Sequence, residues 1–195
     1  AVASGVDFVV AQGTEAGGHT GTVATLTLVP MVVDAVGDKV PVIAAGGLFD
    51  GRGLAASLAL GADGVWVGTR FIATPEARAV KGYKEAILGV AEDGTVVSRS
   101  YTGKTCRVVR NEWTNHFEQH PEELQPFPQQ VIASSKAGVN HLGAQDGTEV
   151  DVTREFFPCG QGAGAIHELK PAGDIVREMV REAERTMERI AAVRR

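Results

Sequence analysis

Three short apolar runs, each giving way to glycine where it ends, constrain this chain more than any other feature. They are Phe8-Val9-Val10-Ala11 before Gln12-Gly13, Pro41-Val42-Ile43-Ala44-Ala45 before Gly46-Gly47, and Gly64-Val65-Trp66-Val67 before Gly68-Thr69. Runs of this length without polar alternation suit strands buried on both faces of a parallel sheet. Segments of helical spacing lie between them. Residues 22–36 carry Leu26, Val29, Val33 and Val36 on one side, with Pro30 predicting either a kink or a loop before a shorter helix. Residues 51–60 follow Asp50 as N-cap and stop at Gly61. Thr74-Pro75-Glu76 supplies a cap, a first-turn proline and an acid at the positive end, which predicts a third helix to about Leu88. Ala1 to Ser4 reads as the tail of a helix closed by Gly5. Strand and helix thus alternate over short connections, the pattern of an α/β protein with helices wound on a parallel sheet.

After Gly94 the pattern changes. Val96-Val97 and Arg107-Val108-Val109 suit a short strand or hairpin, and residues 112–150, with Pro121, Pro126 and Pro128, read as a long loop excursion. Pro171 to Val193 is an amphipathic helix with Ile175, Val176, Met179, Val180, Ala183, Met187 and Ile190 along one side. The expected division is therefore 1–94 for the βα units, 95–170 for an irregular excursion with a glycine-rich loop, and 171–195 for a packed C-terminal helix. With 44% hydrophobic and 22% charged residues the chain can bury a core. A net charge of −5 gives nucleic acid or an anionic membrane no electrostatic hold. No apolar stretch approaches the ~20 residues of a membrane span. Cys106 and Cys159 match neither a metal spacing nor a disulfide framework, so a reducing, cytoplasmic setting is expected.

The chemistry is expected where parallel α/β folds present it, on the loops after the strands. The first such loop contains Gly17 and Gly18, which let the backbone turn sharply or lie along a flat ligand, and then His19. Gln12 ends the first strand and can donate to a ring carbonyl or simply cap the sheet. Gly46-Gly47 and Gly68-Thr69 end consecutive strands; their backbone N–H groups and the Thr69 hydroxyl can converge on a phosphate. Taken singly, these glycines need do no more than permit tight turns. Glu15 receives no role. His116, His120, His141 and His167 read as solvent-facing, and Gly160-Gln161-Gly162-Ala163-Gly164 reads as a plain loop rather than an active-site cover.

Together, Gln12 to His19, Val42 to Gly47, Gly61 to Phe71 and Cys159 to Gly164 resemble the nitronate monooxygenase family, also called 2-nitropropane dioxygenases. The resemblance covers about the first ninety residues and the last forty. It implies an FMN enzyme on a (β/α)₈ barrel that oxidises alkyl nitronates with O2. It also implies that His19 faces the flavin and the substrate nitro group, as base or hydrogen-bond partner. Gly46, Gly47, Gly68 and Thr69 would hold the FMN phosphate, with Gln12, Gly13, Gly17, Gly18 and Ala45 completing the flavin contacts. Similar barrels carry out FMN-dependent enoyl-acyl-carrier-protein reduction or quinone reduction with NAD(P)H, and these share the same site. A third reading is a non-catalytic flavin- or phosphate-binding fragment that needs a partner chain. Only three clear βα units are present where a barrel needs eight. The chain is therefore expected to be the C-terminal portion of a TIM barrel, its N-terminal half supplied by the same protein or by another chain. The expected ligands are a small-molecule substrate and O2, with no metal.

Overall fold

The computed structural model describes residues 1–141, 143–145 and 147–193. In chain order the first half contains β1 (Val9–Gln12), β2 (Gly18–His19), α1 (Thr25–Val36), β3 (Val42–Ala45), α2 (Gly51–Ala59), β4 (Gly64–Trp66), α3 (Thr69–Ile72) and α4 (Lys81–Gly89). The second half contains β5 (Thr95–Ser98), β6 (Cys106–Val109), α5 (Glu112–Gln119), α6 (Gln129–Lys136) and α7 (Ala172–Ala192).

The three apolar runs form one parallel sheet in the order β1-β3-β4. Val10, Ile43 and Gly64 are level across it, and so are Gln12, Ala45 and Trp66. One face is packed: Ala11, Val42 and Ala44 bury with Val29 and Ala62, flanked by Val9, Leu28, Val32, Val33, Val36 and Val65. The other face is open, with Phe8, Val10 and Trp66 exposed at 46%, 41% and 59%. Within this chain the expected burial on both faces is met on one face only: α1 covers that side, and on the other Ala45 is buried while Phe8, Val10 and Trp66 meet no described element that covers them.

The helices follow the sequence in part. Asp50 caps α2 as expected, its carboxylate accepting the N–H groups of Arg52 and Gly53 at 3.0 and 3.2 Å. Pro30 neither breaks α1 nor moves its start past Thr25. Its missing N–H forfeits only the bond to Leu26, in the first turn. Leu26 itself is 69% exposed, and Leu28 and Val32 point inward in its place. The helix expected from Thr74 is replaced by the short α3 and a later α4. The Thr74 hydroxyl donates to the Phe71 carbonyl and accepts the Ala77 N–H, which closes a turn instead of capping a helix.

The 95–109 hairpin forms, and β2 joins it in an antiparallel sheet of order β2-β6-β5. Residues 112–150 are not one long loop, since α5 and α6 lie within them. Their inward-facing positions are polar: Thr114, Gln130 and Ser134 are buried. Gln130 Nε2 donates to the Ser100 carbonyl at 2.5 Å and Ser134 Oγ to the Tyr101 carbonyl at 2.8 Å. Hydrophobic periodicity has little to register in such helices: α5 offers only Trp113, which packs on the core, and Phe117 one turn on.

The last helix, α7, packs against α2 almost backbone to backbone. A Cβ at Gly51 would stand 2.2 Å from the Met179 carbonyl oxygen, so glycine is required there. Ile175, Met179 and Ala183 are buried, whereas Val176, Val180, Met187 and Ile190 from the same predicted stripe are exposed.

Candidate functional site

The C-terminal ends of β1, β3 and β4 open into a cleft of about 350 Å³. Gln12, Gly17, Ala45, Gly46, Gly47, Gly68 and Thr69 line it, joined by Trp66, Tyr83, Pro158, Gly160 and Gly162. Gly46 and Gly47 turn the chain out of β3 with φ of 106° and 70°, a left-handed backbone that glycine alone adopts cheaply. Among the described residues no hydrogen bond takes up the N–H groups of Gly46, Gly47, Gly68 or Thr69. A Cβ at Gly46 would meet Thr25 Oγ1 at 2.9 Å, and one at Gly47 would meet Glu15 Cβ at 3.1 Å. A Cβ at Gly68 would meet nothing within 4 Å. Two of these glycines are thus required by the protein's own backbone, while the third borders space that the protein leaves free.

Thr69 is held in place by Gly160, whose N–H donates to its Oγ1 at 3.0 Å. The threonine hydroxyl therefore keeps its own proton to donate. Gly160 in turn presses on the first loop, since a Cβ at Gly17 would lie 2.6 Å from the Gly160 nitrogen. The Gln161 N–H donates to the Glu15 carbonyl at 2.9 Å. The segment from Gly160 to Gly162 is accordingly a wall of the cleft, where the sequence suggested a plain loop. Its signal was present in the run of glycines, which close packing between two loops requires.

Glu15, which received no role from sequence, anchors the first loop. Its carboxylate accepts the Thr25 N–H at 2.9 Å and the Thr25 hydroxyl at 2.8 Å, supplying the cap that Ala24 cannot give α1. Arg107 supports the same loop from β6, donating from Nε to the Thr14 carbonyl at 3.0 Å. Burial works against its charge and the Glu15 carboxylate works for it. Neither role could be read from sequence spacing: Glu15 reaches Thr25 only through the fold of the loop between them, and Arg107 and Thr14 are far apart in the chain.

Gly13, Gly18 and His19 are not among the residues lining the cleft. Gly13 packs on α1, where a Cβ would stand 2.1 Å from Thr25 Oγ1. Gly18 and His19 form β2, paired with Arg107 and Cys106. Gln12 links this strand to the cleft, its Nε2 donating to the His19 carbonyl at 2.7 Å. The His19 Nε2 lies 2.9 Å from Thr102 Oγ1, and Thr102 is buried and bonded to the Lys104 backbone on both sides.

Other reactive groups near the cleft are quiet. Burial pushes the Cys106 and Cys159 thiols up to about 12, so neither is a thiolate at neutral pH. The Tyr83 phenol donates to the Pro158 carbonyl and stacks on Phe157 with centroids 4.8 Å apart. Burial raises its pKa further, so it stays protonated.

Comparison with known proteins gives a consistent picture. The family model described as nitronate monooxygenase matches residues 1–182. A Mycobacterium tuberculosis protein carried under the name monooxygenase Rv1533 is 43% identical over 183 residues, covering 92% of this chain and 48% of that protein. A Staphylococcus saprophyticus protein named as a nitronate monooxygenase is 42% identical over 156 residues, covering 73% of this chain and 43% of the relative. The chain spans about half the length of the curated relatives it matches. Among solved structures, FabK from Thermotoga maritima superposes with a TM-score of 0.85 at 36% identity, over 98% of this chain and 59% of that one. Nitroalkane oxidase from Streptomyces ansochromogenes gives 0.75 at 32% identity, over 95% and 55%.

Proposed function

The chain belongs to the nitronate monooxygenase family, and on that premise we propose that it forms the phosphate-binding side of an FMN-dependent oxidoreductase that oxidises alkyl nitronates with O2. The observation that carries this reading is the pair of glycine turns at the ends of adjacent parallel strands. Among the described residues nothing takes up their N–H groups, and a Cβ at Gly68 would meet no atom within 4 Å. Converging backbone donors of this kind suit a phosphate. Gly46, Gly47, Gly68 and the Thr69 hydroxyl would hold it, and Gly17, Ala45 and Gln12 would flank the rest of the cofactor. Bound there, FMN would supply the electron transfer between substrate and oxygen.

The protein's own part is positioning and proton handling. Gln12 fixes the backbone of His19, and the imidazole takes a proton from the α-carbon of a neutral nitroalkane or donates to a nitro oxygen. A nitronate arrives already deprotonated and needs only the second role. The open face of the sheet supports a further part of the reading: Phe8, Val10 and Trp66 face the lumen of a (β/α)₈ barrel whose remaining strands lie outside this chain. Those strands come from the same protein or from another chain. In that protein residues 1–94 would supply βα units of the barrel, 95–170 an excursion from it, and 171–195 the helix packed on its outside.

Oxygen uptake by the FMN-loaded complete barrel tests the assignment. Uptake on adding an alkyl nitronate, with no nicotinamide cofactor present, is expected. Reduction of an enoyl thioester or a quinone by NAD(P)H, with no nitronate oxidation, would assign the site to the reductase chemistry.

A further inference from the structure

Away from the cleft, α5 ends in a cluster of two imidazoles and two carboxylates that the oxidoreductase reading does not use. His116 and His120 are four residues apart, which sets them on one face of the helix end. Their ring centroids are 4.8 Å apart. The 3₁₀ turn Pro121–Glu123 then folds two acids back toward them. Glu123 Oε2 lies 2.8 Å from His116 Nε2, and Glu122 Oε1 lies 3.4 Å from His120 Nδ1. The backbone holds this turn, with the Glu123 N–H donating to the His120 carbonyl at 3.1 Å.

We infer that this cluster binds a late first-row divalent cation of the Zn²⁺ class, with His120, Glu122 and Glu123 as ligands and His116 as the fourth. One donor atom from each of the first three lies within 4.8 Å of the others. A tetrahedral shell with metal–ligand bonds of about 2.0–2.2 Å needs donor separations of roughly 3.4 Å, so small rotations of those three side chains suffice, and His116, already 2.8 Å from Glu123, would turn in to join them. All four side chains are between 46% and 70% exposed, so they are free to make those rotations and the ion enters directly from solvent. Two carboxylates and two neutral imidazoles balance the charge of a divalent ion. Imidazole donors select zinc, nickel or copper over magnesium and calcium, which prefer an all-oxygen shell. The ion would also sit at the C-terminal end of α5, where a positive charge is favoured, and would tie that helix to the turn that follows.

Calorimetric titration of the metal-free protein with ZnCl₂, and in parallel with MgCl₂, tests this. One equivalent of Zn²⁺ should bind, with no heat from Mg²⁺. His120→Ala and Glu123→Gln should each weaken Zn²⁺ binding by roughly 10-fold to 100-fold or more. Both substituted side chains are exposed, and unchanged circular dichroism melts would show that the variants fold. Absence of one-to-one Zn²⁺ uptake, uptake that survives in both variants, or equal binding of Mg²⁺ would overturn the inference.

Discussion

His19 is held from two sides: Gln12 grips its carbonyl and Thr102 lies against its Nε2. Because Thr102 is itself bonded to the Lys104 carbonyl and N–H, its hydroxyl is a fixed partner that settles the ring's orientation. His19→Asn in the complete protein should therefore retain FMN while lowering kcat/KM for neutral nitroalkanes by roughly 10²–10⁴-fold, with a much smaller loss for nitronates. Steady-state oxygen consumption with each substrate form measures the difference; equal wild-type rates for both would return His19 to a structural role. Thr102 is then a positioning residue. Thr102→Val should shift the pH profile of nitroalkane turnover, and Thr102→Ser should restore it.

The elements around the cleft depend on contacts that cross long stretches of chain. Glu15 joins the first loop to α1 and, through its carbonyl, to the turn at Gln161. Glu15→Ala removes a carboxylate that accepts two hydrogen bonds from Thr25, and should cost about 1–3 kcal/mol in urea unfolding while loosening FMN binding. A stability loss with unchanged flavin affinity would separate this loop from the site. The strands were legible because their apolar runs are dense and end in glycine, and α2 was legible through Asp50 and Gly61. Helices α5 and α6 were not, because Thr114, Gln130 and Ser134 face inward and pair with backbone rather than with apolar neighbours. At the site, the glycines at 46, 47 and 68 stood out at the ends of apolar runs. Glu15, Thr102 and Arg107 did not, since nothing local distinguishes them and only the tertiary fold brings their partners close.

For the molecule as a whole, the decisive feature is a parallel sheet covered on one face only. Val10 and Trp66 stand exposed on the other face, beside the cleft, and Val176, Val180, Met187 and Ile190 add exposed apolar surface on α7. Patches of this kind mark surfaces that meet other protein. The 195-residue chain alone should accordingly fail to behave as a flavin-loaded monomer in sedimentation velocity; a monodisperse, FMN-saturated monomer would refute the partial-barrel reading. The central claim, that the glycine turns at Gly46-Gly47 and Gly68-Thr69 receive the flavin phosphate, is tested most directly at Gly68. Its φ of −98° is open to other residues, and a Cβ added there meets no protein atom within 4 Å, so a substitution is expected to burden the ligand more than the fold. FMN affinity of the complete protein and of its Gly68→Val variant is read by flavin fluorescence titration. Stoichiometric FMN binding in the wild type, weakened at least roughly tenfold in the variant, is the expected result; no FMN binding by the wild type, or equal affinity in the two proteins, would contradict it.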